Sequence, residues 1–317
     1  MNQAPTPAKD VGGAGAFDRF QEFRRRSVAP LMTVLEAEYE QARRSARLRW
    51  WWPILQGCAL LVATLFGDMI GLAVGLVVTA PLYNPMINYL HSPMRAFERS
   101  SKSRLIETIC RFYGLTYVDA PDSARISAFR EPLVLPEPDH ASAKDLISGT
   151  HDGTALEIAG VEIHRDIMGE SEPIFTGQVM RFSLPRFFAA PLVIWPPGVI
   201  EDEGGAPLPD HDRVDLADTA FDETYQVFSA DADTARELLD ASTRSRLLEL
   251  ADALPERAFT FVNDSLYVAD FHVVVVRSKG RLDPMQKLAL VTDGFASLFR
   301  VLDFIAFIRP ARGRPDP

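Results

Sequence analysis

The alternation of apolar and polar positions changes period along the chain, and each change predicts a different element. Over residues 17–49 the apolar side chains Phe17, Phe20, Val28, Leu31, Val34, Leu35 and Tyr39 recur at helical spacing, which predicts a basic amphipathic helix with a kink at Pro30. Residues 50–90 are then almost free of charge. Two apolar limbs, residues 50–66 and a second from Met69 to Tyr83 or Leu90, flank Gly67 and Asp68, where a tight turn falls. This pattern predicts a two-helix transmembrane hairpin, since a spanning helix takes roughly 20 apolar residues. The turn keeps Asp68 out of hydrocarbon, where a carboxylate would cost about 2.5–3.5 kcal/mol. The second limb reaches spanning length only by continuing through Pro81 and Pro85, which a membrane helix tolerates where neighbours satisfy the freed carbonyls.

Beyond residue 90 the period shortens. Residues 104–112 read as a helix ending near Gly114, and 115–118 as a short strand. Short apolar runs broken by Pro, Gly and Asp predict a β-rich region as far as Val227. It includes a hairpin across residues 146–163 with Asp152-Gly153 at its turn, and further strands at 174–184 and 191–195. An acidic loop at 201–212 precedes a strand at 225–229 and helices at 231–239 and 243–254. A second hairpin is predicted from 259–262, Asn263-Asp264 and 265–268. Asp283-Pro284 then supplies an N-cap and first-turn proline for a long C-terminal helix running to Ile308. Its polar residues Asp293, Ser297, Arg300 and Asp303 form one stripe, so packing on the sheet, with that stripe wet, is favoured over a third membrane span.

The predicted architecture is therefore α+β: a disordered leader (1–16), an N-terminal helix (17–49), a transmembrane hairpin (50–90), a β-rich domain with helices (91–308) and a disordered tail (309–317). Charge gives it an orientation. Arg43, Arg44, Arg47 and Arg49 precede the hairpin, and Arg95, Arg99, Lys102 and Arg104 follow it. Positive charge near membrane ends is retained in the cytoplasm, which places both termini there in a multi-pass inner-membrane protein. The net charge of -10 is concentrated beyond this collar. An acidic domain behind a basic collar argues against nucleic acid and matches the collar to lipid headgroups. With 2 cysteines, Cys58 and Cys110, no disulfide framework is suggested, and Cys110 between Ile109 and Phe112 reads as a packed thiol.

Catalytic signatures are sparse. No nucleophile elbow, zinc-ligand spacing or Walker sequence occurs, and no cofactor or metal is expected. His151-Asp152 superficially matches a metal-binding pair but abuts Gly153 in a predicted turn. Glu162, His164 and Asp166 would face one side of a strand, and alternating polar residues there ordinarily form its solvated face. Arg236 is a candidate contact for an anion or a protein partner, with an internal ion pair as the default.

The basic-flanked hairpin, Asp145-Leu146-Ile147-Ser148-Gly149 with Val161-Glu162-Ile163, Ile174-Phe175-Thr176-Gly177, residues 221–229 and Ala235-Arg236-Glu237-Leu238-Leu239 occur in a recognisable order. Together they resemble the bacterial membrane protein family catalogued as domain of unknown function 3137, from about Phe17 to Ile308. The resemblance implies a membrane-anchored bacterial protein and carries no catalytic residue with it. The expected function is a scaffold or adaptor whose cytoplasmic domain binds a protein partner or a lipid headgroup. The alternatives are a membrane-tethered hydrolase using Glu162, His164, Asp166 and Arg236, or an accessory subunit of a transporter.

Overall fold

A computed structural model describes residues 15–49, 51, 54, 57–58, 61, 83–121, 140–167, 170–197, 212–254, 257–270 and 283–309. All but the edge residues of the expected leader, acidic loop and tail, and most of the hairpin, lie outside them. The chain forms two compact units: a sheet unit of residues 1–22, 107–282 and 292–317, and a helical unit of residues 23–106 and 283–291. The architecture is mixed α+β, with helices at both ends of the chain and an antiparallel sheet between them. Among the described residues, no helix is long and apolar enough to cross a membrane.

The first helical run is α1 (Ala16–Phe23), a π-helical turn (Arg24–Val28) and α2 (Ala29–Arg49). Where a kink at Pro30 is expected, the helix instead widens just before it, and the Ala29 N–H reaches back to the Arg24 carbonyl. Proline has no N–H to offer the preceding turn, and the wider turn takes up that misfit. The next helix, α3 (Tyr83–Tyr113), is far longer than the segment 104–112 expected from periodicity, with Pro93 inside it. It ends in a Schellman turn: Gly114 has φ +67, Leu115 N–H bonds the Cys110 carbonyl at 2.8 Å, and Gly114 N–H bonds Arg111 at 3.4 Å.

The strands are β1 (Thr116–Val118), β2 (His140–His151), β3 (Thr154–Ile167), β4 (Glu170–Trp195), β5 (Asp212–Arg213), β6 (Gln226–Ser229) and β7 (Arg257–Asp270). Between them lie α4 (Thr219–Thr224), α5 (Ala232–Leu238) and α6 (Ala241–Ala253), and α7 (Pro284–Ile308) follows β7. The 7-stranded sheet runs β1-β2-β3-β4-β6-β5, with β7 also on β4. The expected β2–β3 hairpin is present: Asp152 (φ 47) and Gly153 (φ 76) make a two-residue turn, with His151 opposite Thr154.

Two expectations are corrected here. Residues 174–184 and 191–195 belong to one long strand, β4, whose register against β7 shifts between Ser183 and Phe188 and again before Leu192. Nor do residues 259–268 fold back on themselves: both halves pair with β4, and Asn263, at φ 54, forms an irregularity inside β7 where a turn is expected. A turn residue in sequence thus marks a bulge when a neighbouring strand continues on both sides of it.

Each sheet face is buried. One face carries the cluster Leu146, Val161, Phe175, Val179, Val193, Trp195, Phe228 and Tyr267. The other meets α7, where Phe259 contacts Phe304, their ring centroids 6.4 Å apart; Leu298, Leu302 and Ile305 are buried as periodicity expects, and Phe299 is buried with them. Ser297 corrects that reading: it is buried, donates to the Asp293 carbonyl at 3.0 Å and accepts from Arg257 at 3.0 Å. Arg257 also pairs with Asp270 at 2.5 Å, so a buried guanidinium and carboxylate sit between sheet and helix. Close packing dictates one glycine outright, since a Cβ on Gly177 would collide with the Asp270 carbonyl oxygen.

Candidate functional site

Periodicity puts Glu162, His164 and Asp166 on one face, and β3 pairs with β2 in unbroken register past Glu162 and His164, opposite Ser142 and His140; the β3–β4 register shift between Ile163 and His164 adds its extra residue to β4. Glu162 lies 3.7 Å from Lys144 and 3.5 Å from His164, whereas Asp166 lies 3.2 Å from His140. Arg236 is exposed in the last turn of α5, 3.4 Å from Asp233. That position suits a cation by the helix dipole and the i,i+3 pairing alone. Among the described residues, no group of three or more His, Cys, Asp or Glu side chains could hold a metal ion. Cys110 is buried, and burial pushes its thiol up to about 12, away from thiolate chemistry.

The acidic segment after the sheet spends its carboxylates on helix starts. Asp218, Asp231 and Asp240 accept the N–H groups of Phe221, Thr234 and Thr243 at 3.3, 3.0 and 2.7 Å. All three are held below the usual carboxylate range: Asp218 first by Arg244, Asp231 first by the Thr234 hydroxyl, and Asp240 first by the Thr243 amide.

His151 is more than a turn residue. Its ring stands edge-on to Tyr113 and Phe299, with centroids 5.5 and 5.6 Å away, and its Nε2 lies 3.4 Å from an Arg19 nitrogen. Arg19 also pairs with Asp152, and Arg309 donates to the Asp152 carbonyl and to Thr154. Burial holds the imidazole below its ordinary value, with Arg19 adding to the effect and Asp152 and Asp303 opposing it. No sequence signal exposed this cluster, because its members lie on four elements distant along the chain.

In the helical unit the basic residues separate by role. Arg49 donates to the Tyr89 carbonyl at 2.7 Å and to Ser92 at 2.5 Å, its guanidinium 4.2 Å from the Tyr89 ring centroid. Arg104 donates to both carboxylate oxygens of Glu38 at 2.9 and 2.7 Å, and Tyr39 contacts Phe97 with ring centroids 5.6 Å apart. These contacts run in opposite chain directions, so α2 and α3 are antiparallel. Arg49 at the end of α2 therefore sits beside the start of α3. Arg43, 3.6 Å from Glu40, and Arg44, Arg47, Arg95 and Arg99 are exposed, and Lys102 is half-buried. The start of α7 joins this unit: Asp283 accepts from Tyr39 at 2.5 Å, and Lys287 lies 3.0 Å from Glu98.

Apolar side chains are exposed in the same unit. Leu48, Trp51, Ile54, Leu61 and Tyr89 are each more than half exposed, at 70%, 63%, 52%, 61% and 54%. Trp51, Ile54, Cys58 and Leu61 are helical, and their spacing of three, four and three puts them on one face.

Residues 173–300 match the family model described as a protein of unknown function (DUF3137), which bears out the resemblance over that stretch. The match takes in Ile174-Phe175-Thr176-Gly177, residues 221–229 and residues 235–239; it leaves Asp145-Leu146-Ile147-Ser148-Gly149 and the region of the hairpin outside. No curated protein matches the chain. Among solved structures, the crystal structure of the mycobacterial trehalose monomycolate transport factor A, TtfA, is 13% identical, with a TM-score of 0.38 over 66% of this chain and 96% of that one. That score is too low to assign a shared fold. Within the family match the motif residues do packing: Phe175, Phe221, Tyr225, Val227, Ala235 and Leu239 are buried, and Ser229 bonds the Pro191 carbonyl at 3.0 Å.

Proposed function

We propose that the chain is a membrane-anchored scaffold or adaptor: residues 50–82 enter the bilayer as a hairpin, and the sheet unit, on the cytoplasmic side with both termini, binds a protein partner. The antiparallel pairing of α2 with α3 carries this reading. It brings the two ends of the apolar segment to the same end of the helix pair, as a hairpin requires. Leu48 and Tyr89 are exposed at that end, and Trp51, Ile54 and Leu61 along the helical residues beyond it, and large exposed apolar patches mark interaction or membrane surfaces. Arg43, Arg44, Arg47 and Arg95 flank it.

Headgroup contact falls to those four residues. A helix rises about 1.5 Å per residue, so the Arg104–Glu38 pair lies roughly 16 Å behind Arg49, well beyond the few ångströms of one headgroup layer. Arg49 itself is committed to α3. The separate partners of Glu162, Asp166 and Arg236 favour an adaptor over a hydrolase.

The test is topological. A reporter active only in the periplasm should be silent when fused before Phe17 and when fused after Pro317, and deletion of residues 50–82 should move the protein out of the membrane fraction. Periplasmic activity at either end, or unchanged membrane recovery after the deletion, would overturn the anchor.

A further inference from the structure

The N-terminal helix α1 is fastened to the sheet unit at two points. Asp303 on α7 accepts the Ala16 and Phe17 N–H groups at 2.5 and 3.0 Å, occupying the donors that a helix start leaves free. Glycine at residue 15 leaves room for this carboxylate, since a Cβ there would come within 2.9 Å of both Asp303 oxygens. Along α1, the Arg300 guanidinium lies 3.8 Å from the Phe17 ring centroid, and the fully buried Phe20 stacks on Phe299 at 4.9 Å. The second fastening is Arg19, which reaches the β2–β3 turn to pair with Asp152 and to meet His151.

We infer that Arg19, His151 and Asp152 form a pH-sensitive latch, holding α1 against the sheet unit while His151 is neutral and releasing it when His151 takes up a proton. The exchange of partners follows from geometry. Nε2 of His151 lies 3.4 Å from Arg19 and 3.5 Å from the Asp152 carboxylate. Facing an N–H donor, a neutral ring offers Nε2 as acceptor, and Asp152 is left to Arg19. A protonated ring sets N–H against N–H and places a cation beside the guanidinium. It also competes for Asp152 from the adjacent residue, so a bond between α1 and the turn is exchanged for one within the turn. Every charged neighbour can be placed: Arg19 on α1, Asp152 on the turn, Asp303 on α7 and Arg309 just after it, with Tyr113 at the end of α3 as the remaining titratable group. Asp303 accepts the α1 amides and Arg309 is a second cation, so Asp152 is the carboxylate within reach of Nε2 on the imidazolium.

The direction of the pH effect is fixed by burial. Docking holds His151 below its ordinary 6.5, so the latch is fully closed above that value and opens as pH falls through the lowered one. Because α1 leads directly into the π-helical turn and α2, an acid-triggered release would act on the segment that joins the two units in the chain.

The experiment is hydrogen–deuterium exchange of residues 16–23 in the full-length protein, corrected for intrinsic rates, between about pH 7.5 and about pH 5, the range in which histidine titrates. Protection of this segment should fall, by at most about tenfold per pH unit, as pH drops from 6.5 towards the lowered His151 value and level off below it, while β7 stays protected. His151→Gln, which keeps an acceptor and cannot be charged, should hold α1 protected throughout; His151→Phe serves if the glutamine variant does not fold. Asp303→Asn should lower protection at every pH and so calibrates the released state. Constant protection in the natural protein, or an equal fall in a folded His151 variant, would overturn the latch.

Discussion

The guanidinium of Arg257 in the sheet unit is 4% exposed and divided between Asp270 and Ser297, whereas Arg44 and Arg47 in the helical unit stand in the open, without a partner among the described residues. The same contrast holds for apolar groups. Phe175, Phe259 and Phe299 vanish into the sheet unit's cores, while Trp51, Ile54 and Leu61 stay exposed on a helical face. The buried guanidinium meets a carboxylate and a hydroxyl and leaves its Nε without a hydrogen-bond partner among the described residues, and large exposed apolar surface ordinarily marks a contact surface. The sheet unit keeps its large rings and this charge pair inside, whereas the helical unit leaves apolar side chains and cations exposed among the described residues.

Three substitutions test that contrast. Arg257→Met removes the guanidinium that pairs with buried Asp270, and should cost about 3–5 kcal/mol in denaturant unfolding, with much of the loss restored by adding Asp270→Leu. Full stability in the single variant would mean that the charge pair is not a structural element. Ser297→Ala should cost about 1 kcal/mol, because it removes one bond to Arg257 and keeps the pair; a cost as large as that of losing Arg257 would show that the hydroxyl, not Asp270, holds the guanidinium. Arg44→Gln with Arg47→Gln should change stability by less than about 0.5 kcal/mol, yet weaken association with vesicles rich in anionic lipid. A marked fall in melting temperature would make these residues structural and remove the difference between the units.

Local chemistry was legible wherever an element is closed by its own neighbours. Asp152-Gly153 makes its turn because both positions adopt positive φ, and Gly114 ends α3 for the same reason. At the C-terminal helix, Asp283 accepts from the Met285 N–H at 2.9 Å and Gln286 returns a bond to the Asp283 N–H at 3.0 Å, so its start could be read from sequence. Motifs inside the family match were legible too, but they report packing, as where Gly177 fits under a backbone carbonyl; outside it, Asp145 holds a bulge while bonded at 2.8 Å to Tyr117. That is why a resemblance carried by them brings a fold and no chemistry.

Sequence by itself determined the periods, the caps, the tight turn and the uneven distribution of charge, since each depends on residues within a turn or two of one another. Tertiary structure alone decided which strands continue through an apparent turn, because Asn263 bulges only when β4 pairs on both sides of it. It also placed Glu162 beside Lys144 and His164, placed Asp166 beside His140, and drew Ser297 inward to Arg257. The assembly of Arg19, Tyr113, His151, Phe299 and Asp303 belongs to the same class. Spacing along a chain fixes which side chains share a face; only the pairing of distant segments fixes what that face meets.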